Sequence, residues 1–289
     1  MKSWTKAILS LALLSPLICA KALWPKPSSG SFNIEDFTFD SGEIIDSLNI
    51  SYQTLGELKV NSDGSNNAVV LLHGTTGSSA QFLVEEFAGA LFNPGQPLDA
   101  NEYFIIMRDA IGHGNSSKPS NTGLRASFPK YQYPDMIRAD HFLLTEHFKL
   151  NRTRLTLGVS MGAWKGGDYE KQPAAGLGGA LMIQLVLLSS PSYWQRAFPT
   201  REAVNNYTYN PKVGLKNIRV PLTAVNTADD LLNPIELGFL EDGVANDMTP
   251  GYGRAVTIPA SNETTGHDSY IMAVLWKIEL EKLLARSAA

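Results

Sequence analysis

Cysteine is almost absent from this sequence, with Cys19 the only one in 289 residues. A single thiol excludes internal disulfide bonds and zinc sites built from several cysteines. Basic residues are not in excess either, because 24 lysines and arginines stand against 28 aspartates and glutamates, for a net charge of −4. This balance gives no electrostatic reason to expect a nucleic acid as a partner. The chain has no internal repeat, and nothing in it indicates a metal or organic cofactor.

The N-terminal apolar run, residues 7–18, is too short to span a bilayer. It follows two lysines and precedes the small residues Ala20 and Ala22, which is the layout of a secretory signal peptide. We therefore expect residues 1–22 to be cleaved after Ala22, leaving a secreted or periplasmic protein without stable membrane association. An uncleaved membrane anchor is the alternative. A lipoprotein attached through Cys19 is less favoured, because a bulky isoleucine precedes that cysteine.

Hydrophobic residues make up 44% of the chain and charged residues 18%, which suits one large core in a single domain over residues 23–289. After a linker at 24–31, short apolar stretches predict strands at 37–39, 50–55, 68–72, 103–107, 155–157, 181–188, 220–225 and 255–260. The first two favour an antiparallel opening hairpin. Helices are expected over 134–148 and from about 270 to 286. This alternation predicts an α/β fold with a mostly parallel sheet flanked by helices.

Within the helix predicted over 134–148, Ile137, His141, Leu144 and Phe148 fall on one face. We expect that face to be buried. His141 is therefore interpreted as a core histidine and not as a catalytic one.

The predicted strand at 155–157 leads into Gly158-Val159-Ser160-Met161-Gly162. Gly-x-Ser-x-Gly after a strand is typical of a sharp strand-to-helix turn that exposes a nucleophilic serine. Its glycines leave room for neighbouring backbone. An ordinary glycine-rich turn is the alternative, so a base and an acid must follow in the right order.

Both follow. Asp230 comes after the strand predicted at 220–225, and His267 comes after the last predicted strand. Carboxyl ends of parallel strands meet at one edge of a sheet, so Ser160, Asp230 and His267 are candidates for nucleophile, acid and base. Asp229 competes with Asp230 for the acid role, and Asp230 is preferred on its spacing to the following Leu-x-Pro. Asp268 is interpreted as a surface or loop-capping residue.

A glycine-rich loop, His73-Gly74-Thr75-Thr76-Gly77, follows the buried strand at 68–72. Such a loop is where a second oxyanion donor is expected, so the N–H groups of Met161 and of Thr75 or Thr76 are the candidate oxyanion hole. A tight turn is the structural alternative, and both can hold.

Two later segments are less regular. Residues 164–179 are polar and rich in glycine, so the helix after the serine is expected to be short or frayed. Residues 191–217 carry several aromatic side chains and are predicted to form a small lid.

From about residue 33 onward the chain resembles the α/β-hydrolase superfamily, and within it the homoserine O-acetyltransferase-like branch. The matching motifs are 73–77, 109–120, 158–162, Asp230-Leu231-Leu232-Asn233-Pro234 and Gly266-His267-Asp268. The last two resemble the branch's Asp-x-Leu-x-Pro and Gly-His-Asp motifs, which implies Asp230 as the acid and His267 as the base.

The chain also departs from that branch. Its loop at 109–114 replaces a Gly-Cys-x-Gly loop, its lid is shorter, and it has no identified counterpart of the substrate-binding arginine. Acetyl-CoA is not supplied outside the cytoplasm. We therefore expect an exported serine hydrolase that cleaves small carboxylic esters through an acyl-enzyme. The alternatives are an O-acyltransferase and a catalytically inactive binding protein on the same fold. The natural substrate and the oligomeric state are not indicated by the sequence.

Overall fold

The structure is a computed structural model that describes residues 23–165, 218–233 and 250–287, together with 235, 244 and 248. Several predicted segments lie outside these residues: the signal peptide at 1–22, the strand at 181–188, the lid at 191–217 and most of 164–179. Within the described ranges the backbone forms one sheet of five strands and one of two.

The larger sheet has the order β1-β2-β4-β3-β5, and the smaller one pairs β6 with β7. The strands are β1 (Ser28–Thr38), β2 (Ile44–Leu55), β3 (Ala68–Leu72), β4 (Phe104–Arg108), β5 (Leu155–Gly158), β6 (Leu222–Thr227) and β7 (Gly253–Ile258). β3 lies parallel to both β4 and β5, and β6 lies parallel to β7. The predicted α/β class is confirmed.

The opening hairpin is longer than predicted. β1 and β2 pair antiparallel from Ser28 opposite Thr54 to Thr38 opposite Ile44, and β2 continues antiparallel onto β4. β1 therefore starts inside the stretch predicted as a linker at 24–31. Small polar residues there give no apolar alternation to read, and the strand is held by its backbone pairing with β2.

β3 is buried over its whole length, and its side chains alternate between two cores. Val69 and Leu71 pack into the cluster that includes helix α1 (Glu85–Leu91). Val70 and Leu72 pack on the opposite face, with Phe104 and Leu150 among others. A strand covered on both faces needs apolar residues at every position, which explains the continuous apolar run in the sequence.

Helix α2 runs over Tyr133–Phe142 and continues as a π-helical turn, Leu143–His147. Its buried face contains Met136 and Ala139 and continues to Leu143. The interpretation of His141 as a core histidine is wrong, because its side chain is exposed. The buried face lies about one residue earlier along the helix than the predicted one. In a short helix, residues three and four positions apart can be grouped into more than one such face.

The closing helix α3 (Lys277–Arg286) begins later than predicted, after 3-10 turns at Gly266–Ile271 and Ala273–Leu275. Its last turn contacts the segments that lead into a strand of each sheet. The Arg154 guanidinium, just before β5, donates to the Leu284 carbonyl at 3.0 Å and to Ser287 Oγ at 2.7 Å. On the other side, Arg286 donates to the Tyr252 carbonyl just before β7 at 3.0 Å.

Candidate active site

Ser160 lies two residues beyond the end of β5, at the start of a 3-10 turn that covers Ser160–Lys165. Its φ is +48°, in the left-handed region that residues with a Cβ seldom adopt. Such a conformation costs about 1–2 kcal/mol and persists only where the surrounding structure imposes it. Here the Val159 N–H donates to the Leu72 carbonyl of β3 at 3.1 Å, which fixes the turn against the neighbouring strand.

Close backbone packing explains the second glycine of the motif. A Cβ on Gly162 would lie 1.9 Å from the Leu72 carbonyl oxygen, which is impossible without moving the backbone. A Cβ on Gly74 would come within 3.3 Å of Ser160 Cβ. The serine turn therefore sits directly against the end of β3 and the loop that follows it.

His267 reaches Ser160 from the turn after β7. Its Nε2 is 2.9 Å from Ser160 Oγ, and its Nδ1 is 2.9 Å from Asp230 Oδ2. The residue before it, Gly266, has a φ of +64°. A histidine with a hydroxyl on one ring nitrogen and a carboxylate on the other can take a proton from the first while the second stabilises its charged form.

Asp230 is held from several directions, and its side chain is only 3% exposed. Its Oδ1 accepts the backbone N–H groups of Leu232 at 2.8 Å and Asn233 at 3.0 Å. Burial by itself raises the pKa of this carboxyl, but the hydrogen bonds from His267 and Asn233 outweigh it, so the pKa lies below its ordinary value. Asp230 is therefore an anion positioned for a charged histidine.

Asp229, the competing acid, points elsewhere. Its Oδ2 accepts the Thr264 hydroxyl at 2.8 Å and the Gly266 N–H at 3.1 Å. The Thr264 hydroxyl foremost lowers the pKa of Asp229, with Thr227 and Gly266 adding to it. Of the two adjacent carboxylates, Asp230 contacts the histidine ring and Asp229 fixes the backbone turn that carries it.

The loop proposed to supply an oxyanion donor is fixed by two histidines. His73 is fully buried; its Nδ1 donates to the Gly74 carbonyl at 2.7 Å, while its Nε2 accepts the Ala110 N–H at 3.0 Å. His113 Nε2 lies 2.5 Å from the Thr75 carbonyl. Thr75 thus follows Gly74, which approaches the serine turn, in a loop that hydrogen bonds hold in place. Met161 follows Ser160 directly, with its side chain in the core.

Asp109 was not singled out from the sequence as a functional residue. Its buried carboxylate accepts the Ser79 N–H at 2.6 Å on one loop and the Asn115 N–H at 2.7 Å on the other. It therefore ties the loop after β3 to the loop after β4. The signal was present in the sequence, since Asp109 is a carboxylate directly after a buried strand. Asn233 was treated as the variable position of its motif, yet its side chain also reaches the site.

Sequence comparison finds acyltransferases. No protein-family model matches the chain. A protein from Methanothermobacter thermautotrophicus named "Probable acyltransferase" is 34% identical over 135 residues, covering 46% of this chain and 41% of that protein. A homoserine O-acetyltransferase from Geobacter metallireducens is 30% identical over 216 residues, covering 65% of this chain and 58% of the enzyme.

Solved structures with the same fold include esterases and homoserine O-acetyltransferases. One is an acetylester hydrolase from Corynebacterium glutamicum, with a TM-score of 0.63, 16% sequence identity, and coverage of 89% of this chain and 96% of that one. The chain has the α/β-hydrolase fold and resembles its homoserine O-acetyltransferase-like branch.

The chain spans about half the length of the curated relatives it matches. In the parts of the chain that the structure describes, no three histidine, cysteine, aspartate or glutamate side chains are grouped so that they could hold a metal ion. None of the helices in those parts is long and apolar enough to cross a membrane.

Proposed function

We propose that this protein is an exported serine hydrolase that cleaves carboxylic esters of small molecules through an acyl-enzyme on Ser160. The observation that carries the proposal is the unbroken series of contacts from Ser160 Oγ through His267 to Asp230, each 2.9 Å long. The left-handed backbone of Ser160 supports it further, because strain of this kind is concentrated at functional sites.

In the first half-reaction Ser160 Oγ attacks the ester carbonyl carbon while His267 Nε2 takes the hydroxyl proton. Asp230 stabilises the imidazolium that forms, and the N–H groups of Met161 and Thr75 bind the oxyanion, each donor contributing on the order of 3 kcal/mol in the transition state. The C–O bond to the alcohol then breaks, and His267 returns the proton to that oxygen. In the second half-reaction His267 takes a proton from water, the water oxygen attacks the acyl carbon, and the bond to Ser160 Oγ breaks. His267 then returns the proton to Ser160, and the acid is released.

The test is covalent labelling of the folded protein with a fluorophosphonate, with the modified residue located by mass spectrometry. We expect an adduct on Ser160 in the wild type and none in His267→Ala, because without the base the hydroxyl is a poor nucleophile. Ester turnover should be lost in Ser160→Ala. A folded wild-type protein without an adduct would contradict the proposal and favour a catalytically inactive binding protein.

A second candidate keeps the same acyl-enzyme and transfers the acyl group to an alcohol in place of water. The sequence relatives favour it, since several are named homoserine O-acetyltransferases. Product partitioning separates the two candidates. With an activated acetyl ester as donor and homoserine added as acceptor, O-acetylhomoserine supports transfer, and acetate as the only product supports hydrolysis.

Export is proposed from residues 1–22, whose charged, apolar and small-residue segments follow in the order of a signal peptide. Expression of the full chain in a bacterial host followed by N-terminal sequencing tests it. We expect a periplasmic product that begins at Leu23. A full-length product that remains in the cytoplasm or in the membrane fraction would contradict export and leave the hydrolase proposal unaffected.

A further inference from the structure

The side chain of Asn233 reaches the two charged partners of the site. Its Nδ2 lies 3.3 Å from Asp230 Oδ2 and 3.2 Å from His267 Nδ1. Together with the 2.9 Å contact between Nδ1 and Oδ2, these distances form a closed triangle of three polar atoms. Asn233 is thus in contact with the ring nitrogen that Ser160 does not touch.

The backbone holds Asn233 in this position from both sides. Its N–H donates to Asp230 Oδ1 at 3.0 Å, and its carbonyl accepts the Asn226 side-chain amide at 2.7 Å. The amide nitrogen and not the amide oxygen faces the pair, because an oxygen there would oppose the Asp230 carboxylate. Asn233 therefore presents a hydrogen-bond donor.

Two donors consequently share one acceptor. When His267 is ready to act as a base, its Nδ1 carries a proton and donates to Asp230 Oδ2, and the Asn233 amide donates to the same oxygen. Each donor withdraws negative charge from that oxygen. The amide also faces Nδ1 itself, and the positive end of its dipole opposes the charge of the imidazolium.

We propose that Asn233 is a positioning residue that weakens the hold of Asp230 on the protonated histidine and so keeps His267 available as a base at lower pH. This inference rests on the proposed function, in which His267 is the base. In the Asp-x-Leu-x-Pro motif, Asn233 is the third residue after the acid and directly precedes Pro234.

Other titratable groups also surround His267. Asp230 contacts the ring from the loop after β6, where Asp229 contacts the backbone of Gly266 instead. Asp268 and Tyr270 belong to the turn of His267 itself, with the Tyr270 ring 5.6 Å from the imidazole. Burial foremost raises the pKa of Tyr270. All four are identical in a variant at position 233, so the difference between that variant and the wild type isolates the amide.

The experiment follows protonation of His267 by NMR of protein with ¹³C-labelled histidine, the resonance being assigned with His267→Gln. Asn233→Leu removes the amide at similar volume, and we expect the protonation midpoint to rise by about 0.5–1 pH unit, the equivalent of one hydrogen bond. Asn233→Asp adds a carboxylate facing the ring and should raise it by about 1 unit or more. The rate of fluorophosphonate labelling should fall on acidification in all of these proteins, and in the Asn233 variants this fall should occur at a correspondingly higher pH.

Asn93→Leu is the control, because it removes a partly buried amide that donates to the Gly89 carbonyl at 3.0 Å, away from the loops after β6 and β7. We expect its midpoint to equal that of the wild type. The inference is overturned by an unchanged or lowered midpoint in Asn233→Leu, or by an equal rise in Asn93→Leu. If Asn233→Leu does not fold by circular dichroism, Asn233→Ala decides, because it also removes the amide and adds no charge. Absence of labelling in the wild type would contradict the proposed function separately, while the NMR midpoints still test the contact.

Discussion

The carboxylate of Asp229 accepts the backbone N–H of Gly266 at 3.1 Å, one residue before His267. This contact joins the turn that carries the acid to the turn that carries the histidine, and it does so without touching the ring. A second contact supports it, since the Thr227 hydroxyl donates to the Gly266 carbonyl at 3.1 Å. The two neighbouring carboxylates thus have different roles: Asp229 binds the backbone next to His267, and Asp230 binds its imidazole ring.

Asp229→Ala and Asp230→Ala should therefore differ strongly in activity. Loss of Asp230 removes the partner of the charged histidine, and we expect ester turnover to fall on the order of 10⁴-fold. Loss of Asp229 only loosens the turn at Gly266, and we expect a fall of about tenfold. Steady-state kinetics with a chromogenic acetyl ester measure both. Equal losses in the two variants would show that the division of roles is wrong.

Acid should destabilise the protein partly through Asp229. Because its pKa is lowered in the folded state, its carboxylate contributes stability above the unfolded value of about 4, and this contribution is lost as the pH falls through the folded value. We expect the urea midpoint of the wild type to decrease on acidification more than that of Asp229→Ala. Parallel curves for the two proteins would exclude this contribution.

Gly162→Ala should damage the serine turn by direct collision. The added Cβ would lie 1.9 Å from the Leu72 carbonyl, so either the turn or β3 must move. We expect a loss of about 2–3 kcal/mol in the free energy of unfolding, together with loss of fluorophosphonate labelling. Gly64→Ala is the control, because Gly64 has a φ of +79° but no heavy atom within 4 Å of its Cβ position. It should cost only the backbone strain, about 1 kcal/mol, and keep full labelling.

His113→Ala should slow acylation without removing any group that touches the substrate. His113 holds the Thr75 carbonyl, and losing that hydrogen bond frees the peptide next to the proposed oxyanion donor. We expect labelling of Ser160 to slow by up to about tenfold. His141→Ala is the matched control on an exposed histidine, and its labelling rate should equal that of the wild type. A similar slowing in both variants would point to a general effect of losing a histidine.

The fold class could be predicted because buried strands leave a clear mark. β3 and the first four residues of β4 are buried and form unbroken apolar runs. Ser160, Asp230 and His267 each follow a strand in the order that the sequence suggested. β1 left no such mark, because Ser28 and Ser29 are held by backbone pairing that is indifferent to side-chain type.

Side-chain contacts within the site were harder to anticipate. His141 was wrongly assigned to a buried face. A spacing of three and four residues shows that a segment is helical, but it does not show which face of the helix packs against the core. Asn233 lies in a variable motif position, and only its distances to Asp230 and His267 give it significance. The spacing to Leu-x-Pro favoured Asp230 over Asp229 as the acid, but the contacts of Asp229 with Thr264 and Gly266 could not be anticipated from the sequence.

The serine follows a strand of one hydrogen-bonded sheet, while the acid and the histidine follow the strands of the other. Helix α3 connects these two parts by hydrogen bonds. Arg154, just before β5, donates to the helix, and Arg286 of the helix donates to the Tyr252 carbonyl just before β7. A proteolytic nick or an early stop codon within its last turn would leave every residue of the candidate site in the chain. We expect such a truncated protein to carry the full motif set and to hold the serine less firmly against the acid and the histidine, because the hydrogen bonds from the last turn to both parts would be lost.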